Sequence, residues 1–329
     1  MKTEMEASVP SPDLSIIIVN WNSRDFLEGC LKSIRDHVPA EEAQVIVVDN
    51  ASSDGSADMV RQRFPEYKMI DSGGNIGFGK ANNLALRLCD TPHVLFLNPD
   101  TVVLPGAISK MIAFMNQNAD VGAVGCRMVF EDGEPLPLPF QWLRTPVTEL
   151  FVLFFGSFGF LKRLKGIFPY QDPDKSGYVM KLYGGCLMVR KDVLDRVGYF
   201  DERFFMYCED VELCQRIYRD GWKIYYMSDA EIIHHCGGSS RATEGEFSTL
   251  MKCESISLMI GKYYGKAGAI FYRGSVLIAS SAKIAIVLMA RLLMIPIFWK
   301  KIDMEKYSFK KYLNMLDWSL KIKEPRISG

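Results

Sequence analysis

Four short runs of apolar and β-branched residues recur in the first hundred positions: LSIIIVN (14–20), QVIVVDN (44–50), YKMID (67–71) and HVLFLN (93–98). Runs of this length, bounded by polar residues and turn formers, read as strands buried on both faces of a parallel sheet. Between them the period lengthens. Leu27, Cys30, Leu31 and Ile34 fall at i, i+3, i+4 and i+7 behind Ser23, a candidate helix cap, and Ile108, Met111, Ile112 and Met115 repeat the spacing after Pro105. Strands alternating with helices predict an α/β fold, a mostly parallel sheet flanked by helices and joined by right-handed crossovers.

The fourth run turns directly from Val94–Leu97 into Asn98, Pro99 and Asp100, and the earlier runs end on Asn20, on Asp49 with Asn50, and on Asp71. One such residue is ordinarily a turn former or helix cap. Several together predict a polar crevice along the carboxyl edge of the sheet, where open α/β sheets bind ligands. The stretch DSGGNIGFGKANN follows the third run and opens a helix, as a phosphate cradle does. Its glycines at 73, 74, 77 and 79 miss the G-x-G-x-x-G fingerprint because position 82 is Asn82. The backbone N–H groups around Gly74, Asn75 and Gly77 are nucleotide-binding candidates, a plain Gly-rich turn being the alternative.

From about 130 to 175 the pattern breaks into Pro, Gly and aromatic residues. Its apolar run, Leu150 to Leu161, is shorter than the ~20 helical residues that span a bilayer, and reads either as a core helix or as an apolar lip at a membrane. Order returns with KLYGGCLMVR (181–190), a helix opening at Asp192, EDVELCQRIYRDG (209–221), the strand WKIYYM and the loop HHCGGSS. Glu209 and Asp210 begin a helix, whose dipole favours acids and would keep a carboxylate ionised, ready to accept a proton. Asp100 suits a hard cation such as Mg²⁺ or Mn²⁺, and a histidine, His234 or His235, can complete a Mn²⁺ site.

Charge adds a second feature. Residues 260–329 carry 13 Lys and Arg against 4 Asp and Glu, while the whole chain is neutral. In RGSVLIASSAKIAIVLMARLLMIPIFWKK, Arg273, Ser280 and Arg291 lie within about 20° of one another on a helical wheel and Lys283 about 80° away. A basic, apolar tail of this kind suits a helix lying in a membrane interface, kinked at Pro296, and no nucleic-acid fold. The eight cysteines show no C-x-x-C spacing and read as reduced core thiols. No apolar signal segment is expected in residues 1–13.

In order, IIIVNWNS, VIVVDNASSDGS, GGNIGFGKANN, FLNPDT, GGCLMVR, FFMYCEDVELCQR and HHCGGSS resemble the family 2 glycosyltransferases of GT-A fold, rhamnosyltransferase-like enzymes in particular. The resemblance covers residues 13 to 265. It implies a tail at 1–13, a nucleotide-sugar-binding half at 14–125, an acceptor-binding and catalytic half at 126–243, and a basic, helical, membrane-associating region at 244–329. It implies that Asp49 hydrogen-bonds the pyrimidine, with Val19, Asn20 and Asp54 nearby. Asp100 then binds the metal at a D-x-D element whose first acid is here Asn98, and His234 is a second ligand. Asp210 is the catalytic base and Glu209 positions the acceptor. The implied reaction is an inverting transfer from a nucleotide-diphosphate sugar, dTDP-rhamnose above all, to a lipid-linked or polysaccharide acceptor in cell-envelope glycan synthesis. It takes place at the cytoplasmic face of the cell membrane with Mg²⁺ or Mn²⁺. The alternatives are a UDP-hexose donor, or a non-catalytic nucleotide-sugar-binding scaffold. Processive synthases normally carry Q-x-x-R-W and several membrane helices, neither of which the sequence displays.

Overall fold

The computed structural model describes residues 12–138, 141–155, 171–235, 245–292, 302–323 and 325. The amino-terminal tail, the second half of the 150–161 run, the 237–239 loop and the kink at Pro296 lie outside them. Each predicted run is a strand: β1 Leu14–Asn20, β2 Ala43–Asp49, β3 Lys68–Asp71 and β4 His93–Leu97. They pair in parallel, in the order β3-β2-β1-β4. Every residue of β1 is buried because both faces of the sheet are covered. Leu14, Ile16 and Ile18 pack with Leu27, Leu31 and Ile34 of α1 (Arg24–His37), and Ile17 and Val19 pack with Ala81 and Ala85 of α3 (Phe78–Leu86). Between them in sequence lies α2 (Ser56–Arg63).

Beyond β4 come β5 (Thr101–Val103), α4 (Ala107–Gln117), β6 (Val121–Val129), α5 (Pro146–Phe155), β7 (Gly177–Val179), β8 (Cys186–Arg190), α6 (Lys191–Val197), α7 (Glu209–Arg219) and β9 (Lys223–His234). The sheet continues β4-β8-β6-β9-β5, with β8 antiparallel to both neighbours and β7 paired to β9. The 125/126 division falls inside β6, so both halves share one sheet.

Two local expectations fail. Ser23 makes no cap bond; its hydroxyl donates to the Trp21 carbonyl, and the Arg24 N–H donates instead to Asp54 Oδ2 at 2.9 Å. Pro105 precedes α4, which starts after Gly106, a residue at φ +75°. The seven described cysteines are free and buried.

The carboxyl-terminal region is a bent helix, α8 (Glu246–Leu292), broken at Gly265 (φ +68°), followed by α9 (Ile302–Ser319). Leu250, Cys253, Ile260, Tyr272, Val276 and Trp318 form its core, against which Leu153 of α5 packs. The polar face deduced from sequence turns inward. Arg273 donates to the carbonyls of Trp318 and Ser319, Ser280 is buried, and the Lys283 ammonium lies 5.0 Å over the Tyr312 ring. The outward face is apolar: Ile270 is 71% exposed, Ile278 61% and Leu288 49%.

Candidate active site

A cavity of about 730 Å³ opens at the carboxyl ends of β1 and β4, and Asn98, Asp100, Glu209, Asp210 and His234 all line it. Strand register explains the convergence. Antiparallel β5–β9 pairing sets Thr101 opposite His234, so the preceding Asp100 meets the histidine: its Oδ1 is 3.1 Å from His234 Nε2. Asn98 Nδ2 is 3.5 Å from the same nitrogen. His235 points elsewhere, with Nδ1 2.6 Å from Glu131 Oε1.

The second acid arrives through a pair of glycines. Leu97 of β4 pairs with Cys186 of β8, which lays the preceding Gly184 and Gly185 along the Asn98–Asp100 turn. Gly184 N–H donates to Asp210 Oδ2 at 2.7 Å. A Cβ on Gly184 would sit 3.0 Å from Asp210 Cβ, and one on Gly185 would sit 3.4 Å from His234 Cε1. The first distance is tighter than ordinary packing, so Asp210 would have to give for a larger residue at 184; the second is ordinary contact. In the sequence this dipeptide reads only as the lead into a strand, not as part of the site.

The turn into α7 is tight. Tyr207 and Cys208 both take φ +67°, a left-handed backbone costing on the order of 1–3 kcal/mol per residue. It is held from outside: Tyr207 Oη lies 3.0 Å from Ser248 Oγ, and Ser255 Oγ donates to the Met206 carbonyl at 2.8 Å.

The helix dipole does not decide the state of this acid pair, because burial outweighs it. Burial, together with the neighbouring Asp210, pushes Glu209 up to about 8. Asp210 is also raised by burial, but N–H bonds from Gly184 and Val211 and the Arg144 charge pull it back. Glu209 Oε2 has no hydrogen-bond partner among the described residues. Of the two, Glu209 is therefore the acid pushed toward its protonated form near neutral pH.

The remaining candidates, Val19 apart, lie outside the cavity lining, along the β1–β3 edge. Asp49 accepts from Asn20 Nδ2 at 3.3 Å and from the Ser52 N–H at 2.9 Å. Asp54 caps the starts of α1 and α2; burial raises it, but bonds from Ser56 and the Arg24 N–H bring it below its ordinary range. Asn75 Oδ1 accepts from Asn50 Nδ2 at 2.9 Å. Gly77 has φ +89°, and its Cβ would lie 2.6 Å from the Phe205 carbonyl, which also accepts the Phe78 N–H. Nothing lies within 4 Å of a Cβ on Gly74.

No group of three His, Cys, Asp or Glu side chains gathers as a metal site among the described residues. Asp100 and His234, with Asn98 adjacent, nevertheless make a carboxylate-and-imidazole donor set. Its chemistry would suit a hard divalent cation such as Mg²⁺ or Mn²⁺.

The profile of Glycosyl transferase family 2 matches residues 15–198, more than half of the chain. The chain belongs to glycosyltransferase family 2. It is rhamnosyltransferase-like: it is 28% identical over 249 residues to the N-acetylglucosaminyl-diphospho-decaprenol L-rhamnosyltransferase of Mycobacterium tuberculosis, covering 68% of this chain and 76% of that one. It is 28% identical over 240 residues to rhamnosyltransferase WbbL of Escherichia coli, covering 69% and 85%. The structure is similar to that of mannosyltransferase PcManGT from Pyrobaculum calidifontis, solved with GDP-Man and Mn²⁺, at a TM-score of 0.56 and 15% identity over 95% of this chain and 88% of that one. At that identity the last likeness is one of fold, the GT-A architecture.

Proposed function

We propose that this family 2 glycosyltransferase moves rhamnose from dTDP-rhamnose to a hydroxyl of a lipid-linked glycan acceptor, with inversion, at the cytoplasmic face of the cell membrane during envelope glycan synthesis. The observation that carries the reading is the shared cavity, which Asp100, His234, Glu209 and Asp210 all line. The nucleotide lies along the carboxyl edge of β1–β3, by Val19, Asn20, Asp49 and the 74–77 loop. Asp54 supports that edge by capping two helices.

A nucleoside diphosphate leaves poorly until its charge is neutralised, and a divalent cation held by Asp100 and His234 supplies that neutralisation when bound. Asp210 accepts the proton of the acceptor hydroxyl as its oxygen attacks the anomeric carbon. The bond to the diphosphate breaks on the opposite face, and one displacement inverts the centre. Glu209, protonated, positions the acceptor without competing for its proton.

The rhamnosyltransferase relatives support the donor, and the diphospho-decaprenol substrate named for one of them supports a lipid-linked acceptor. The outward apolar face of α8 supports a place at the membrane surface. Nucleoside diphosphate release over a panel of activated sugars, with a lipid-diphosphate-linked acceptor, tests the reading. The expected result is highest kcat/KM with dTDP-rhamnose and an inverted linkage by NMR. Turnover of UDP-hexoses alone would replace the donor, and no turnover with any donor would leave a binding scaffold.

A further inference from the structure

The first half of α8 lies against the turn that delivers Glu209 and Asp210. Ser248, Lys252, Ser255 and Met259 recur at i, i+4, i+7 and i+11, which at 100° per residue puts them within an arc of about 60° on one helix face. Each meets the turn or the start of α7. Ser248 Oγ lies 3.0 Å from Tyr207 Oη, the Lys252 ammonium lies 4.7 Å over the Tyr207 ring, and Met259 packs with Phe204, Cys208 and Val211. Ser255, only 2% exposed, donates from Oγ to the Met206 carbonyl at 2.8 Å. One turn further along α8, Lys262 Nζ and Tyr263 Oη donate at 2.7 and 2.8 Å to Oε1 of Glu212, a fully buried residue of α7.

Of these contacts, the one from Ser255 falls at the strained point. The Met206 carbonyl belongs to the planar peptide unit that precedes the Tyr207 Cα, so rotation of that unit changes the φ of Tyr207. Tyr207 and Cys208 both stand at φ +67°, and such a backbone persists only where its surroundings over-determine it. We propose that Ser255 is a positioning residue for the transfer: its bond to the Met206 carbonyl locks the left-handed turn, and the locked turn holds Asp210 in the cavity, where the Gly184 N–H meets its carboxylate at 2.7 Å. The role rests on the glycosyltransferase reading above. Ser255 acts through Asp210 and does not itself line the cavity. An effect at that remove is large enough to measure, because misplacing a reacting group by about 1 Å can cost on the order of 10²-fold in rate.

The test compares Ser255→Ala with Ser275→Ala in the full-length protein. Ser275 is another buried hydroxyl of α8, bonded at 2.8 Å to the Phe271 carbonyl of its own helix. Alanine favours the helix, so both variants should fold. Well below the melting temperature, Ser255→Ala should lower kcat about tenfold or more and leave donor KM and nucleotide-sugar Kd as in wild type. Ser275→Ala should leave all three unchanged, since a purely structural hydroxyl moves only the melting temperature. A second arm follows hydrogen–deuterium exchange in residues 206–212, which should quicken several-fold in Ser255→Ala and not in Ser275→Ala. A kcat within about twofold of wild type in Ser255→Ala, an equal loss in Ser275→Ala, or unchanged exchange at 206–212 would overturn the role. The exchange arm needs no turnover, so it separates failure of the brace from failure of the proposed reaction.

Discussion

At the scale of the residue, the acid pair at the start of α7 makes a claim about pH. Glu209 is held up to about 8 against an ordinary 4.5. The folded protein therefore binds a proton that the unfolded chain has already released within that window. Stability from this group is complete below the unfolded value and is lost as pH rises toward the folded one. Glu209→Gln keeps the shape and removes the titration, so the gap in melting temperature between this variant and wild type should widen in the variant's favour as pH rises from about 5 to about 8. Thermal denaturation across that range checks it; a gap independent of pH would show that Glu209 is not held protonated. Asp100, His234 and Asp210 were legible in the sequence because strand ends and helix starts advertise them. Gly184 and Gly185 were not legible as site residues. The crowding at Gly184 comes from Asp210, which reaches it from another part of the chain.

Among the elements, the first four strands could be read directly, since burial on both faces imposes an unbroken apolar run. The short β7 and the full length of β9 could not, because pairing partners rather than composition define them. The Gly-rich stretch before α3 shows both outcomes. Its place between strand and helix was evident, yet at Gly77 the glycine is required by the Phe205 carbonyl, and Asn83 extends the same contact by bonding the backbone N–H and carbonyl of Phe200. This stretch thus anchors the segment that leads to Glu209 and Asp210. Gly77→Ala should cost about 1–3 kcal/mol and lower kcat, because the left-handed backbone and the Phe205 segment must both shift. Gly74→Ala, with open space around its Cβ, should leave stability nearly unchanged. Denaturant titration of the two variants separates them, and equal effects would remove the special role of Gly77.

Across the whole molecule, the basic carboxyl-terminal region was visible as an amphipathic helix, but the direction of its faces was not. Only the packing of α9 shows that Arg273, Ser280 and Lys283 turn inward and that Ile270, Ile278 and Leu288 face out. Because Tyr272 and Trp318 are buried in the same cluster as Leu250, deleting the region would also unpack the first half of α8. Substitution at exposed positions is the cleaner probe. Ile270→Glu, Ile278→Glu and Leu288→Glu together should leave melting temperature close to wild type and abolish co-sedimentation with anionic lipid vesicles. Undiminished vesicle binding would exclude this face as the membrane contact.

The proposed reaction is divided between acids from distant parts of the chain, Asp100 serving the donor and Asp210 the acceptor. Measuring donor affinity and transfer rate together in Asp210→Asn tests that division. The expected result is Mn²⁺-dependent binding of the nucleotide sugar like that of wild type, with transfer slowed about 10²- to 10⁴-fold or more. Near-normal turnover, or loss of donor binding along with transfer, would contradict it.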